Sequence, residues 1–133
     1  MFKITEKGKI LKGEKRKKKK YNLFKNASYA FAGIATLWKE RAFQLELLLI
    51  VPLLILLFFL PFSPVQKGLM AMSLFLILIA EALNTAVEYV VDLVTQEWHP
   101  LAKKAKDTAS AGVFLSLLQG GIVWGINLLS LIK

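Results

Sequence analysis

The chain has 133 residues, 56% of them hydrophobic, and carries a net charge of +9, with a mean hydropathy of +0.52. Soluble domains are roughly 45–50% apolar, so a membrane protein is indicated, and the length suits one domain. There is no cysteine and a single histidine, His99, which excludes disulfides, thiolate chemistry and cysteine-ligated zinc and argues against a histidine-rich metal site.

The charge is concentrated at one end. Residues 1–25 hold eleven Lys/Arg against Glu6 and Glu14, whereas the rest of the chain balances seven basic against seven acidic groups. The run KRKKKKYNLF leads into apolar sequence with no aromatic or glycine-rich RNA module beside it. No nucleic-acid partner is therefore expected. A basic segment at an anionic lipid surface gains about 1 kcal/mol per Lys/Arg, and it also acts as a topology signal. Residues 1–20 read as a disordered basic tail that meets anionic membrane lipids. The tail lacks the short apolar core and small-residue cleavage site of a signal peptide.

Residues 21–40, YNLFKNASYAFAGIATLWKE, place Phe24, Ala27, Phe31, Ile34, Leu37 and Trp38 at helical spacing. The spacing predicts an amphipathic helix over 22–40 lying on the membrane surface. From Leu47 to Val65 no residue is charged, and about 20 apolar residues cross a bilayer as a helix. A first span over about 42–62 follows, with Pro52 as a kink and Pro61 and Pro64 ending it. A second span is expected over 68–94. TQEWHPLAKKAK then reads as a short polar loop broken by Pro100. Thr108 to Ile132 carries no charge and forms the third span, over 108–132. Its small and polar residues, among them Ser110, Gly112, Ser116, Gln119, Gly120 and Asn127, suit close helix packing in lipid. The fold class is thus all-α and polytopic, with a surface helix and three transmembrane helices. The positive-inside rule places the N-terminus and the 95–107 loop in the cytoplasm.

The second span ends in EALNTAVEYVVD. With roughly 100° per residue, Glu81, Asn84, Glu88 and Asp92 fall on one face, and Leu83, Ala86, Tyr89 and Val90 are left for lipid or packing. A charge near the bilayer centre costs at least about 2.5 kcal/mol, so three acids on one stripe call for a role. A hard cation such as Mg²⁺ held by carboxylates, an acid acting as general base, an ion or proton pathway, and a packed interface with lysines all remain open at this point. Glu40 and Glu46, before the first span, add carboxylates. Trp98, His99, Lys103, Lys104, Lys106 and Asp107, after the second, add an aromatic and phosphate-binding cations. Acids for metal beside bases for phosphate suggest metal-assisted phosphoryl transfer. Neither a P-loop nor a protein-kinase signature is present.

The stretch EALNTAVEYVVDLVTQEWHPLAKKAKDTASAGV, with the upstream KERAFQLE, resembles the signature of the small bacterial integral-membrane diacylglycerol kinases, a family that includes undecaprenol kinases. The resemblance implies a homotrimer in the bacterial inner (cytoplasmic) membrane, with active sites at the membrane–cytosol boundary. It implies Glu81 as catalytic base and Asn84 as an orienting residue. Glu40 and Glu88 would hold Mg²⁺ on ATP. Tyr29, Glu40, Glu88, Glu97, Trp98, His99, Lys106 and Asp107 would contact the nucleotide. Phe43, Gln44, Glu46, Ser110 and Trp124 would meet the lipid. Gln44 departs from the family pattern, which carries an arginine there. The expected activity is ATP-dependent phosphorylation of diacylglycerol to phosphatidic acid. AFQLELLL is similar to diacylglycerol-type members, whereas His99-Pro100-Leu101 is similar to undecaprenol-type members, so undecaprenol is the alternative substrate. A small ion or proton transporter is the alternative from another class, and a non-catalytic scaffold recruiting partners through the tail is a third.

Overall fold

The computed structural model describes residues 3–4, 10–11 and 20–133. Most of the basic tail therefore lies outside the described residues, and so does the expectation that it is disordered. Within it Lys3–Ile4 pairs antiparallel with Ile10–Leu11. Residues 1–31 and 32–133 form two compact units.

Among the described residues the fold is helical, with four helices: α1 (Leu23–Leu37), α2 (Arg41–Phe59), α3 (Pro64–Val94) and α4 (Pro100–Ser130). The backbone N–H of Lys25 donates to the Asn22 side chain at 3.3 Å, an N-cap that satisfies one of the free donors at the start of α1. No residue of α1 is buried. A tight turn ends it, with Lys39 N–H donating to Thr36 O and Glu40 N–H to Leu37 O. Glu40 then stands at the N-cap of α2, without using its own side chain as the cap.

Among the described residues three helices are long and apolar enough to cross a membrane. At 1.5 Å rise per residue, the 19 residues of α2 reach about 28 Å, close to the roughly 30 Å hydrocarbon core. The 31 residues of α3 and of α4 reach about 46 Å each, so each has an end outside the core.

Two helices start earlier than the sequence pattern suggests. The second span was expected from 68, with Pro64 terminating the first, yet α3 starts at Pro64. Ser63 and Gln66 form a reciprocal capping box around it. Pro100 reads from the sequence as a breaker within a 95–107 loop ahead of the third span, yet α4 starts at Pro100 with His99 as N-cap. The physical reason is shared. Proline has no N–H to lose at the first helical position, and its fixed φ suits a helix start. The expected 95–107 loop shrinks to 95–99, and Lys103, Lys104, Lys106 and Asp107 ride on the first two turns of α4.

Cross-helix pairs set an antiparallel register between α3 and α4. Gln66 Nε2 donates to Asn127 Oδ1 at 3.0 Å, Trp124 Nε1 to the Met70 carbonyl at 3.2 Å, and Lys106 Nζ to Asp92 Oδ1 at 2.7 Å. A Cβ on Gly120 would meet Ile77 Cδ1 at 3.2 Å, so glycine permits the closest approach of these helices. Gly112, Gly121 and Gly125 meet nothing comparable. Of the small-residue set on α4, the buried members are Ser116 and Gly120. The core joins Ile50 and Leu57 of α2, Phe62, and Met70, Leu74 and Ile77 of α3 to Trp124 of α4. Large apolar side chains such as Phe58, Met72, Phe75 and Phe114 stay exposed on the outside, as lipid-facing or intersubunit surfaces require.

Candidate active site

The site grows out of the C-terminal half of α3. Glu81 is 5% exposed and Asn84 8%, Glu88 is half-buried, and Asp92 is exposed. One helical face thus carries acids from the core outward to the polar end, as the spacing predicts. Leu83, Ala86, Tyr89 and Val90 are exposed on the other side.

The acids of α3 are joined by two from the start of α2. Glu81 feels the charges of Glu88 and Glu40, and the side chains of Asn84 and Thr85 approach its carboxylate. Glu46, half-buried one turn and a half into α2, feels Glu81 in turn. Asn84 Nδ2 donates to Glu88 Oε1 at 3.4 Å, and Tyr89 Oη donates to Glu40 Oε1 at 2.5 Å. Among the described residues no Lys or Arg makes an ion pair with Glu40, Glu46, Glu81 or Glu88. Buried acceptors Glu46 Oε2 and Asn84 Oδ1 receive no hydrogen bond. Like charges without a counter-ion, beside unmatched acceptors, raise the energy of the chain on its own. A cation and a hydroxyl donor would lower it.

The polar end of α3 and the start of α4 form a cleft of about 460 Å³, lined by Asp92, Glu97, Trp98, His99, Lys103, Lys106 and Asp107 among others. Five of the residues predicted to contact nucleotide (Glu97, Trp98, His99, Lys106 and Asp107) therefore meet in one place. Lys106 pairs with Asp92, and Lys103 with Asp107. Trp98 is 78% exposed. His99 Nδ1 accepts the Leu101 backbone N–H at 3.1 Å, so the neutral ring carries its proton on Nε2. Both helix ends are charged against their dipoles. The last turn of α3 carries Asp92 where positive charge is favoured, and the first turns of α4 carry lysines where negative charge is favoured. Lysines at a helix N-terminus concentrate positive potential and suit phosphate.

The other predicted residues fall as follows. Tyr29 is exposed on α1, in the unit of residues 1–31. Phe43 is buried at the start of α2. Gln44 spends its amide on the Trp38 carbonyl, at 2.9 Å, closing the turn between α1 and α2. Ser110 is exposed on α4. Trp124 is not brought to the acidic stripe. It is buried and held by Met70, near the opposite end of α3. Sequence reasoning grouped Tyr89 with the lipid-facing positions and missed its bond to Glu40. No local pattern signals a contact between residues 49 apart.

A model of the family described as prokaryotic diacylglycerol kinase matches residues 28–128. This chain belongs to the prokaryotic diacylglycerol kinase family. The diacylglycerol kinase of Haemophilus influenzae is 41% identical over 105 residues, covering 78% of this chain and 89% of the relative. That of Pseudomonas aeruginosa is 40% identical over 102 residues, covering 76% and 83%. That of Escherichia coli K12 is 33% identical over 109 residues, covering 81% and 89%. The matched region contains the acidic stripe, the 95–99 loop and the cleft. Membership of this family makes the protein a membrane-embedded lipid kinase.

Proposed function

We propose that the chain transfers the γ-phosphoryl group of ATP to the hydroxyl of diacylglycerol at the membrane–cytosol boundary, giving phosphatidic acid. The observation that carries this is the stacking of two charge sets along one helix pair. Carboxylates of Glu81 and Glu88 lie on one α3 face, between the apolar half of that helix and its polar end. The lysine-bearing cleft lies one to three turns further out, where a soluble nucleotide arrives. The relatives' name, diacylglycerol kinase, favours diacylglycerol over undecaprenol.

In this reading Glu81 accepts the proton of the lipid hydroxyl as its oxygen bonds to the γ-phosphorus. The bond from that phosphorus to the β–γ bridging oxygen breaks, and ADP leaves. Asn84 orients the hydroxyl beside Glu81. Glu40 and Glu88 would hold Mg²⁺, which neutralises the phosphate charge. Among the described residues no three metal-binding side chains converge on one point. That suits Mg²⁺, which takes one or two carboxylates together with phosphates and water. Lys106 and Lys103 draw the phosphates, Trp98 offers a stacking face, and His99 Nε2–H, Glu97 and Asp107 are polar contacts for base and ribose. Tyr29 is a further nucleotide contact. Phe43, Gln44, Glu46, Ser110 and Trp124 are assigned to the lipid, Glu46 being the one within electrostatic reach of Glu81.

The working unit is a homotrimer, for which the exposed apolar faces of α3 and α4 offer area, including a groove of about 600 Å³ lined by Met72, Phe75 and Ile126. The N-terminus and the 95–99 loop face the cytoplasm of a bacterial inner membrane, with the basic tail on anionic lipid. Phosphate transfer from labelled ATP in mixed micelles with Mg²⁺ tests the reading. Diacylglycerol and undecaprenol are offered separately, with Glu81→Gln as control. Label in diacylglycerol that vanishes in the variant is expected. No label in either lipid, from folded protein, overturns it.

A further inference from the structure

The bond from Tyr89 Oη to Glu40 Oε1 joins α3 to the start of α2 at one of the carboxylates assigned to the metal. Three observations give it meaning. First, Glu40 is the N-cap of α2, yet its carboxylate makes no capping bond, so its own helix does not hold it. Second, among the described residues no cation pairs with it, although Arg41 is adjacent. Tyr89 is its one hydrogen-bond donor there. Third, Tyr89 follows Glu88 directly, and its phenol feels the charges of both Glu40 and Glu88. The phenol therefore touches one of the carboxylates assigned above to the metal and lies within electrostatic reach of the other.

We propose that Tyr89 is a positioning residue that aims Glu40 at the divalent cation and thereby sets the chain's affinity for it. This rests on the assignment of Glu40 and Glu88 under the proposed function. By engaging Oε1, the phenol fixes the carboxylate plane and leaves Oε2 for a cation. It also ties the N-terminus of α2 to the α3 turn that carries Glu88, which fixes the separation of the two carboxylates. Hydrogen-bond donors behind metal-ligating carboxylates are worth about 10–100-fold in metal affinity. Half-exposed Tyr89 (50%) contributes little core packing, so loss of its hydroxyl leaves the helices in place.

The test is Mn²⁺ binding, followed by electron paramagnetic resonance, to the purified full chain in detergent with a non-hydrolysable ATP analogue. Wild type, Tyr89→Phe and Glu40→Gln are compared. Tyr89→Phe is expected to weaken Mn²⁺ binding by roughly tenfold or more. It should move the Mg²⁺ dependence of turnover upward by the same factor, while kcat at saturating Mg²⁺ and the melting temperature stay near wild type. Mn²⁺ affinity in Tyr89→Phe equal to wild type overturns the inference, even if that variant melts lower. Unchanged Mn²⁺ affinity in Glu40→Gln overturns it by removing Glu40 from the site. A folded wild type that takes up no Mn²⁺ with the analogue overturns both this inference and the metal assignment beneath it.

Discussion

Lys106 donates to Asp92 at 2.7 Å, joining the second turn of α4 to the last turn of α3. Each partner sits at a helix end whose dipole disfavours it, and the pairing offsets that cost. Exposed ion pairs contribute only about 0–1 kcal/mol, so stability is a weak reason for placing these charges here. Binding is the better one.

Neutralising the pair one member at a time separates these effects. Lys106→Met is expected to raise the KM for ATP with little loss of thermal stability, because the charge proposed to bind phosphate is removed from the cleft. The Asp92→Asn, Lys106→Met double-mutant cycle should show coupling in stability below about 1 kcal/mol. Stability coupling well above that, with KM for ATP unchanged in Lys106→Met, would make the pair a structural staple instead.

Glu81→Gln removes a proton acceptor while keeping size and most hydrogen bonding. Positioned general bases contribute about 10²–10⁴-fold, so kcat should fall by at least that lower figure. ATP binding and melting temperature should hold, since the substitution removes one charge from a group of like charges. Radiolabel transfer, together with thermal protection by ATP and Mg²⁺, reads both quantities. Turnover within a few-fold of wild type would exclude Glu81 as the base.

Much of this arrangement was legible from the residues. Uncharged runs of helix-spanning length marked the first and third membrane helices, and an apolar run leading into the acidic stripe marked the second; the period of Glu81, Asn84, Glu88 and Asp92 placed them on one face, which the structure shows. Pro52 and Pro61 fall inside and just after α2 as the pattern indicates, whereas Pro64 and Pro100 start helices, because a proline ends one helix and starts another with equal ease. Only the neighbouring caps, Ser63 with Gln66 and His99 with Leu101, decide between the two. Trp124 was unreadable for another reason. In a membrane helix, core-facing and lipid-facing residues are equally apolar, and the hydrogen bond to Met70 that separates them is a tertiary contact. The same limit hid Tyr89, whose partner lies on a different helix.

Trp124 gives a direct contrast between packing and substrate contact. Its indole is buried against α3 and donates to the Met70 carbonyl. Trp124→Ala should cost about 3–5 kcal/mol, as large aromatic deletions in cores do. Trp124→Phe should cost less, chiefly the hydrogen bond, at about 0.5–1.5 kcal/mol. Denaturation in mixed micelles measures both. A rise in lipid KM in Trp124→Phe, at unchanged stability, would support the lipid contact proposed for it; an unchanged lipid KM would leave the indole as packing alone.

Gly120 tests the helix contact on which the site depends. A Cβ there would stand 3.2 Å from Ile77 Cδ1, and the Ser73 carbonyl lies behind it at 4.0 Å. The tip of an isoleucine can move by a few tenths of an ångström, so Gly120→Ala should be tolerated, with a gain in helix propensity of about 1 kcal/mol in partial offset. Gly120→Leu must push α3 and α4 apart, and overpacking costs about 1–3 kcal/mol. Ile77 is one turn from Glu81, and the displaced α4 carries the lysines of the cleft. Gly120→Leu should therefore raise the KM for ATP as well as lower stability, whereas Gly120→Ala should do neither strongly. Equal stability and KM in the two variants would show that α4 does not approach α3 through this glycine.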